Sequence, residues 1–293
     1  MILWLISSVI SMFTSAAVPL VTPWLNKYAF GTGIVGWYFL GSAIISFILG
    51  ILTNSLDLHP DILILLAGLL FGAGISSVQK TTEKSKDPAL SIAFPSSRAF
   101  LTAMISFFIL GLSSTNTMIL FYILQFILCV VLVIVIYLKH SFENNFEWLI
   151  YTILATFCLS FSDVILKGSG SINTIFNDTF WFTLAGSIIP LLINFNTTQS
   201  ILPKFRKHEN VDKKLWYSIF LTMILVFFLK IKSRTLSISL VSNPAYTQMI
   251  ISLSLPLVAL IFNRTSEQKI STEEYAVYLA MTCVTILSSI FSM

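Results

Sequence analysis

Windows of about 20 mostly apolar residues, each long enough to cross a lipid bilayer as a helix, recur along the whole 293-residue chain. No gap between them is large enough for a separate extramembrane domain. Only 10% of residues are charged and 56% are hydrophobic, whereas a soluble domain is typically about 25% charged. The mean hydropathy of +0.89 agrees. These features predict an all-α polytopic membrane protein embedded in a lipid bilayer.

Each predicted span is bounded by polar links. The first runs from Leu3 to about Tyr28, the second from Gly33 to Thr53, and the third from Ile62 to about Gln79. Gly68, Gly72 and Gly74 in the third are small residues at a spacing that lets helix backbones approach closely. A fourth span is predicted around Pro88 to Leu110 and a fifth at Asn116 to Leu138, followed by a hydrophilic link at the midpoint. The sixth ends with Ser162, Asp163 and Lys167, and the seventh covers Thr179 to Phe195. The eighth is short, Leu215 to Leu229, and Lys230 and Lys232 could extend it by snorkelling; the ninth reaches Phe262 and the tenth runs from Glu274 to Phe291. Ser15-Ala16-Ala17 could pass for a signal-peptidase site. The absence of Lys or Arg before Lys27 argues against a cleaved signal.

The chain repeats itself at half its length. Leu90 to Ile109, LSIAFPSSRAFLTAMISFFI, returns as LSISLVSNPAYTQMIISLSL from Leu236 to Leu255, a shift of 146 residues. Trp4-Leu5-Ile6 returns as Trp148-Leu149-Ile150 at a shift of 144. Two matches at nearly equal shifts predict a duplicated membrane domain, with residues 1–143 as one five-helix repeat and 144–293 as the other. Five crossings per repeat leave the second copy inserted upside down, so about ten transmembrane helices should form two inverted repeats. Both copies of the 20-residue stretch are then expected to be helices that superpose. Lys230, Lys232 and Arg234 read as a loop answering Lys80, Lys84 and Lys86. Most loop Lys and Arg fall on the side opposite the termini, which by the positive-inside rule puts both termini outside.

Two halves of five spans, each with a fourth helix that is polar, then Pro-containing, then apolar, resemble the drug/metabolite transporter superfamily in its EamA-like form. The resemblance is carried by Ala89 to Leu110 with Asn116 to Leu138, and by Ser237 to Phe262 with Tyr275 to Ser289. It implies that spans 1–4 and 6–9 line a cavity, that 5 and 10 brace the outside, and that both termini are cytoplasmic. It also implies a permease: a secondary transporter that moves a small organic metabolite by alternating access. A reporter fused to Met293 separates the two orientations.

Other function classes fit poorly. No phosphate-binding P-loop is present, which argues against ATP-driven pumping. His59, His140 and His208 lie in links, and Asp163 is the one carboxylate within a predicted span, so neither a Ser-His pair nor an aspartyl dyad can form at membrane depth. The chain therefore reads as a non-enzyme that needs no cofactor. Cys129, Cys158 and Cys283 stand alone in apolar runs, without disulfide or metal spacing. No basic patch interleaved with aromatics points to nucleic acid. The expected partner is a small-molecule substrate, anionic if Arg98 meets it, and a homodimer is compatible with the fold. The rival reading is a non-transporting membrane adaptor.

Candidate substrate-binding residues are Arg98, Ser97, Asp163, Asn243, Tyr246 and Gln248. From Ala99 the apolar run to Leu110 spans only about 18 Å at 1.5 Å per residue, short of a core of roughly 30 Å. Arg98 is therefore drawn into the membrane, where it must face a cavity or a partner. Either Arg98 pairs with Asp163, which itself should face the bundle interior, or its guanidinium receives an acidic or phosphorylated group on the substrate. Pro244 stands opposite it in the repeat, so no matching charge is expected from the other half. Asn243-Pro244 is either a hinge or a tolerated kink, and Gln125 either touches substrate or bonds a neighbouring helix.

Overall fold

A computed structural model describes residues 2–28, 33–57, 59–85, 95, 98–139, 147–169, 175–198, 212–265 and 271–291. All regular elements among them are α-helices: α1 (Ile2–Tyr28), α2 (Gly33–Leu52), α3 (Ile62–Ser85), α4 (Arg98–Leu110), α5 (Asn116–Lys139), α6 (Glu147–Ser169), α7 (Ile175–Thr198), α8 (Lys213–Leu240), α9 (Pro244–Ser252), α10 (Ser254–Thr265) and α11 (Thr272–Phe291). Among the described residues, eight helical stretches are long and apolar enough to cross a membrane, one of them α9 and α10 taken together. Their outward faces are apolar, as lipid requires. On α5, for example, Leu120, Ile127 and Ile134 are exposed, and at the end of α4 so is Phe108. A soluble monomer rarely presents such continuous apolar surface. The protein is a multi-pass integral membrane protein.

Helix ends follow local sequence signals. Gly111 closes α4 at φ +65°, a conformation that costs glycine nothing. There the Gly111 amide donates to Phe107 O (3.1 Å), the five-to-one bond of an αL cap, and the Leu112 amide reaches back to Ser106 O (3.2 Å). Asn54 closes α2 at φ 51° with a Schellman cap, Ser55 N bonded to Gly50 O at 2.9 Å and Asn54 N to Ile51 O at 3.1 Å. Asp212 caps α8, its side chain accepting from Lys214 N (3.0 Å) and Leu215 N (3.2 Å). Ser271 and Glu274 pair at the start of α11 (3.1 Å).

Where the sequence reading and the structure part is at α8. The eighth span does not stop at Leu229. It continues to Leu240, so Lys230, Lys232 and Arg234 lie inside a helix rather than in a loop. The helix stays intact because each cation finds a place within the bundle: Arg234 meets a carboxylate, Lys232 sits 3.6 Å over the Phe176 ring and Lys230 5.5 Å from the Phe227 ring. Leu236 to Leu240 thus finish α8, and the next helix starts at Pro244, with Val241 to Asn243 breaking the two apart. The second copy of the repeated stretch is therefore not one helix: it covers the end of α8, all of α9 and the first residues of α10. Of the first copy, Leu90 to Ser97 lie outside the described residues except Pro95, which is helical. The third span likewise runs on to Ser85, past its expected end at Gln79.

Packing is tightest where glycine removes side chains. A Cβ on Gly68 would lie 2.2 Å from Phe182 O, and one on Gly72 would lie 2.2 Å from Gly186 O, so α3 and α7 cross backbone to backbone. Gly74 admits Leu159 of α6 in the same way. Around this crossing Tyr38, Phe39, Phe71, Phe182, Trp216 and Phe227 form a buried aromatic core among α2, α3, α7 and α8. α1 packs along α8, α3 along α6 and α7, α2 along α7, α4 against α9, and α5 against α11.

Gly72→Leu is expected to wedge α3 from α7 and to destabilise the bundle by about 1–3 kcal/mol or more, the usual range for overpacking. Phe108→Leu on the exposed face should be near neutral. Thermal unfolding of both variants in detergent checks this, and equal midpoints would contradict the close crossing.

Candidate functional site

Asp163 lies on α6 with no exposed surface, in the interior of the bundle. The rotation of α6 that aims it inward is held by its neighbour Ser162, whose hydroxyl donates to Ala67 O on α3 at 2.8 Å. Near its end, α6 is tied to the last turn of α8 by Lys167 Nζ donating to Ser239 O (3.2 Å).

Two arginines from different helices converge on this one carboxylate. Arg98, at the start of the described part of α4, places Nε 3.5 Å from Asp163 Oδ2. Arg234, from α8, donates through Nη2 to Asp163 Oδ1. Its guanidinium carbon lies 3.9 Å from the centre of the Phe71 ring of α3, so the plane of the fork rests on an aromatic face. Arg98 also donates through Nε (2.7 Å) and Nη2 to Gln248 Oε1 on α9. Lys230 lies one helical turn before Arg234 on the same face of α8. All five side chains are buried, with Arg98 at 8%, Lys230 at 7%, and Arg234 and Gln248 at 2% exposure.

The cluster is not balanced. Arg98 and Arg234 by themselves outnumber the single carboxylate of Asp163, and the buried amine of Lys230 lies one turn from Arg234. Its donors are not used up either. Arg234 Nε and Nη1 and Gln248 Nε2 have no hydrogen-bond partner among the described residues, and Lys230 Nζ has only the Phe227 ring. Removing such groups from water without a partner costs about 1–3 kcal/mol each, and more for charged ones. An arrangement of this kind is suited to receive an anion.

Among the residues singled out in the sequence, Arg98, Asp163 and Gln248 meet directly or through one another. Ser97 lies outside the described residues. Asn243 is buried but committed to structure: its Oδ1 accepts from Ala245 N (3.0 Å) as the cap of α9, and its Nδ2 donates to Ser114 (3.1 Å). Asn243-Pro244 therefore starts a helix rather than kinking one, with Pro at the first turn where no amide is needed. Tyr246 is two residues from Gln248, hence on another face of α9, and packs near Tyr122 with ring centres 6.3 Å apart. Gln125 donates to Ser252 across α5 and α9 (2.9 Å), a helix-to-helix bond.

Arg234 and Lys230 escape the sequence reading. The expectation that no charge from the second half would answer Arg98 is corrected by Arg234, which reaches the same carboxylate. The missed signal is the absence of any Gly, Pro or Asn between Leu229 and Leu240, with Asn243-Pro244 following as the true stop.

Removing Asp163 leaves buried cations with no counter-charge, so Asp163→Ala is expected to destabilise the protein by about 3–5 kcal/mol. Adding Arg234→Met should restore part of that loss, because it removes one of the stranded charges. Thermal melts of the two single variants and the double variant measure the coupling; strictly additive effects would show that the two side chains do not share the carboxylate.

Compared with models of known protein families and with curated proteins, the chain matches none.

Proposed function

We propose that this protein is a secondary carrier of the drug/metabolite transporter type, moving a small organic anion across the membrane by alternating access between two inverted five-helix halves. The observation that carries the reading is the cationic excess around Asp163, buried where the halves meet. Arg98 and Phe71 belong to the first half; Asp163, Lys230, Arg234 and Gln248 belong to the second. A substrate seated there would touch both bodies that must move relative to each other, which is where carriers built from repeats place their sites.

The helix pairing supports a two-fold relation between the halves, and the inversion itself is inferred from five crossings per half. When each helix of the first half is matched to the one five spans later, the packing of α1 on α8 corresponds to that of α6 on α3. The pairs α2 with α7, α4 with α9, and α5 with α11 each correspond to themselves. A pseudo-two-fold relation between the halves produces this pattern. The burial of all five cluster side chains fits an occluded conformation, closed on either side of the site.

The test is uptake by the purified protein in proteoliposomes against a panel of anionic and neutral metabolites. Arg98→Lys is expected to abolish uptake of the transported anion while the protein still inserts and elutes as a single species. An ammonium is a point charge and cannot span Gln248 and Asp163 as the guanidinium fork does. Full uptake of every anion by Arg98→Ala would reject the substrate role of the cluster. Absence of uptake for the whole panel by wild-type protein would favour a non-transporting adaptor.

A further inference from the structure

We infer that the Arg98–Asp163–Arg234 cluster is a binding site for the phosphoryl head group of a phosphate monoester. The inference deepens the carrier reading and rests on it for how the ester enters and leaves the buried site.

Charge comes first. Arg98 and Arg234 against Asp163 leave an excess of one positive charge, and Lys230, when it carries its proton beside a bound anion, raises it to two. A phosphate monoester carries about −1.5 to −2 near neutral pH, which cancels that excess, whereas a monocarboxylate or a sulfate ester cancels half of it. A neutral solute cancels none.

The placement of the cations separates one compact dianion from a spread one. Arg98 and Arg234 both reach the same carboxylate group, one at each oxygen, and Lys230 follows one turn along α8. The positive charge is thus focused on one small volume. A phosphoryl group concentrates its two charges on one phosphorus, while a dicarboxylate of several carbons holds them at two separate points. A focused cluster fits the first better.

The open hydrogen-bonding groups agree. Arg234 Nε and Nη1, Gln248 Nε2 and Lys230 Nζ are donors with no acceptor among the described residues, and the first three are buried without solvent contact. The one unpartnered acceptor of the cluster, Asp163 Oδ2, already faces Arg98 in an ion pair. The complement of such a set is a group that mainly accepts, from several directions. The three terminal oxygens of a phosphoryl group do so; the two coplanar oxygens of a carboxylate offer fewer. The Phe71 ring 3.9 Å from the Arg234 guanidinium carbon and the bond to Asp163 hold that fork in place before the ligand arrives.

Two probes of the same tetrahedral shape, one charge apart, test this: methyl phosphate and methyl sulfate at pH 8. Titration calorimetry on the full chain in lipid nanodiscs should give at least about tenfold tighter binding of methyl phosphate than of methyl sulfate, the scale of one charge-assisted hydrogen bond. Succinate, the spread dianion, should also bind more weakly than methyl phosphate. Lys230→Met keeps the apolar stem and removes one charge, so it should narrow the phosphate-to-sulfate gap; Lys230→Gln serves if the first variant fails to purify. Equal or tighter binding of methyl sulfate or succinate, or an unchanged gap in the lysine variants, overturns the inference. Inorganic phosphate binding more tightly than the ester overturns it in favour of the free ion. Uptake by proteoliposomes keeps the two readings apart. Transport of other anions with no preference for methyl phosphate removes the ester site and leaves the carrier, whereas preferential binding of methyl phosphate with no transport of any phosphate ester leaves the site and removes the carrier.

Discussion

One carboxylate shared by two arginines governs how the bundle is put together. An arginine drawn into the membrane is costly, about 2.5–3.5 kcal/mol at a helix centre on insertion scales, and this chain buries two of them against the single side chain of Asp163. The attraction between charges grows as the surrounding dielectric falls, so the pairing is strongest in the dry interior where the desolvation cost is also greatest. The consequence is structural before it is functional. α8 can run uninterrupted through Lys230, Lys232 and Arg234 because Arg234 arrives at Asp163 and the Phe71 ring rather than at lipid. Its length then fixes where the break before α9 falls, and with it the approach of Gln248 to Arg98.

The apolar scaffold sets the geometry that the charges use. Gly68 and Gly72 bring α3 onto α7, and Gly74 brings it onto Leu159 of α6. A larger residue at any of these would move α3 outward, and Phe71 with it. Ser162 then locks α6 to α3 through the Ala67 carbonyl, one residue from Asp163. The position of the carboxylate is thus determined by contacts on both sides of the site: small residues that admit α6, and a hydroxyl that fixes its rotation. Gln125 and Ser252 make a comparable tie between α5 and α9.

Most of the fold could be read from hydropathy, because for α1, α2, α5, α7 and α11 the apolar window and the helix nearly coincide. At α8 they do not. Hydropathy treats Lys230 to Arg234 as the end of a span, since the compensating carboxylate is 71 residues away in sequence and its contribution is invisible locally. Stop signals are more faithful there than polarity, as Asn243-Pro244 marks the true boundary. The site was half legible for the same reason. Arg98 and Asp163 stand out as lone charges in apolar runs, whereas Arg234 was hidden among charges already assigned to a loop. Asn243, Tyr246 and Gln248 all stand out in the sequence as polar residues at or just past the Asn243-Pro244 break. Helical geometry separates them, turning Gln248 to Arg98, Tyr246 toward Tyr122, and Asn243 into a cap.

A purely structural role for the cluster would call for a different composition. Buried ion pairs hold helices together no better than well-packed apolar residues of similar volume, and often less well. Where such a pair is structural, the least costly form is balanced in charge and complete in hydrogen bonds. Here the carboxylate is outnumbered by cations, and buried donors on Arg234 and Gln248 stand without acceptors among the described residues. Each carries a cost in this conformation that an arriving anion would remove. The carrier reading gives that cost a purpose, because a site already satisfied by its own protein has little to gain from a substrate. Under that proposal Asp163 would be an internal stand-in: it keeps the arginines from being wholly unpaired when the site is empty, yet leaves positive charge for an anion to meet. An adaptor held in the membrane only for its outer contacts would have no use for an excess of this kind at its centre.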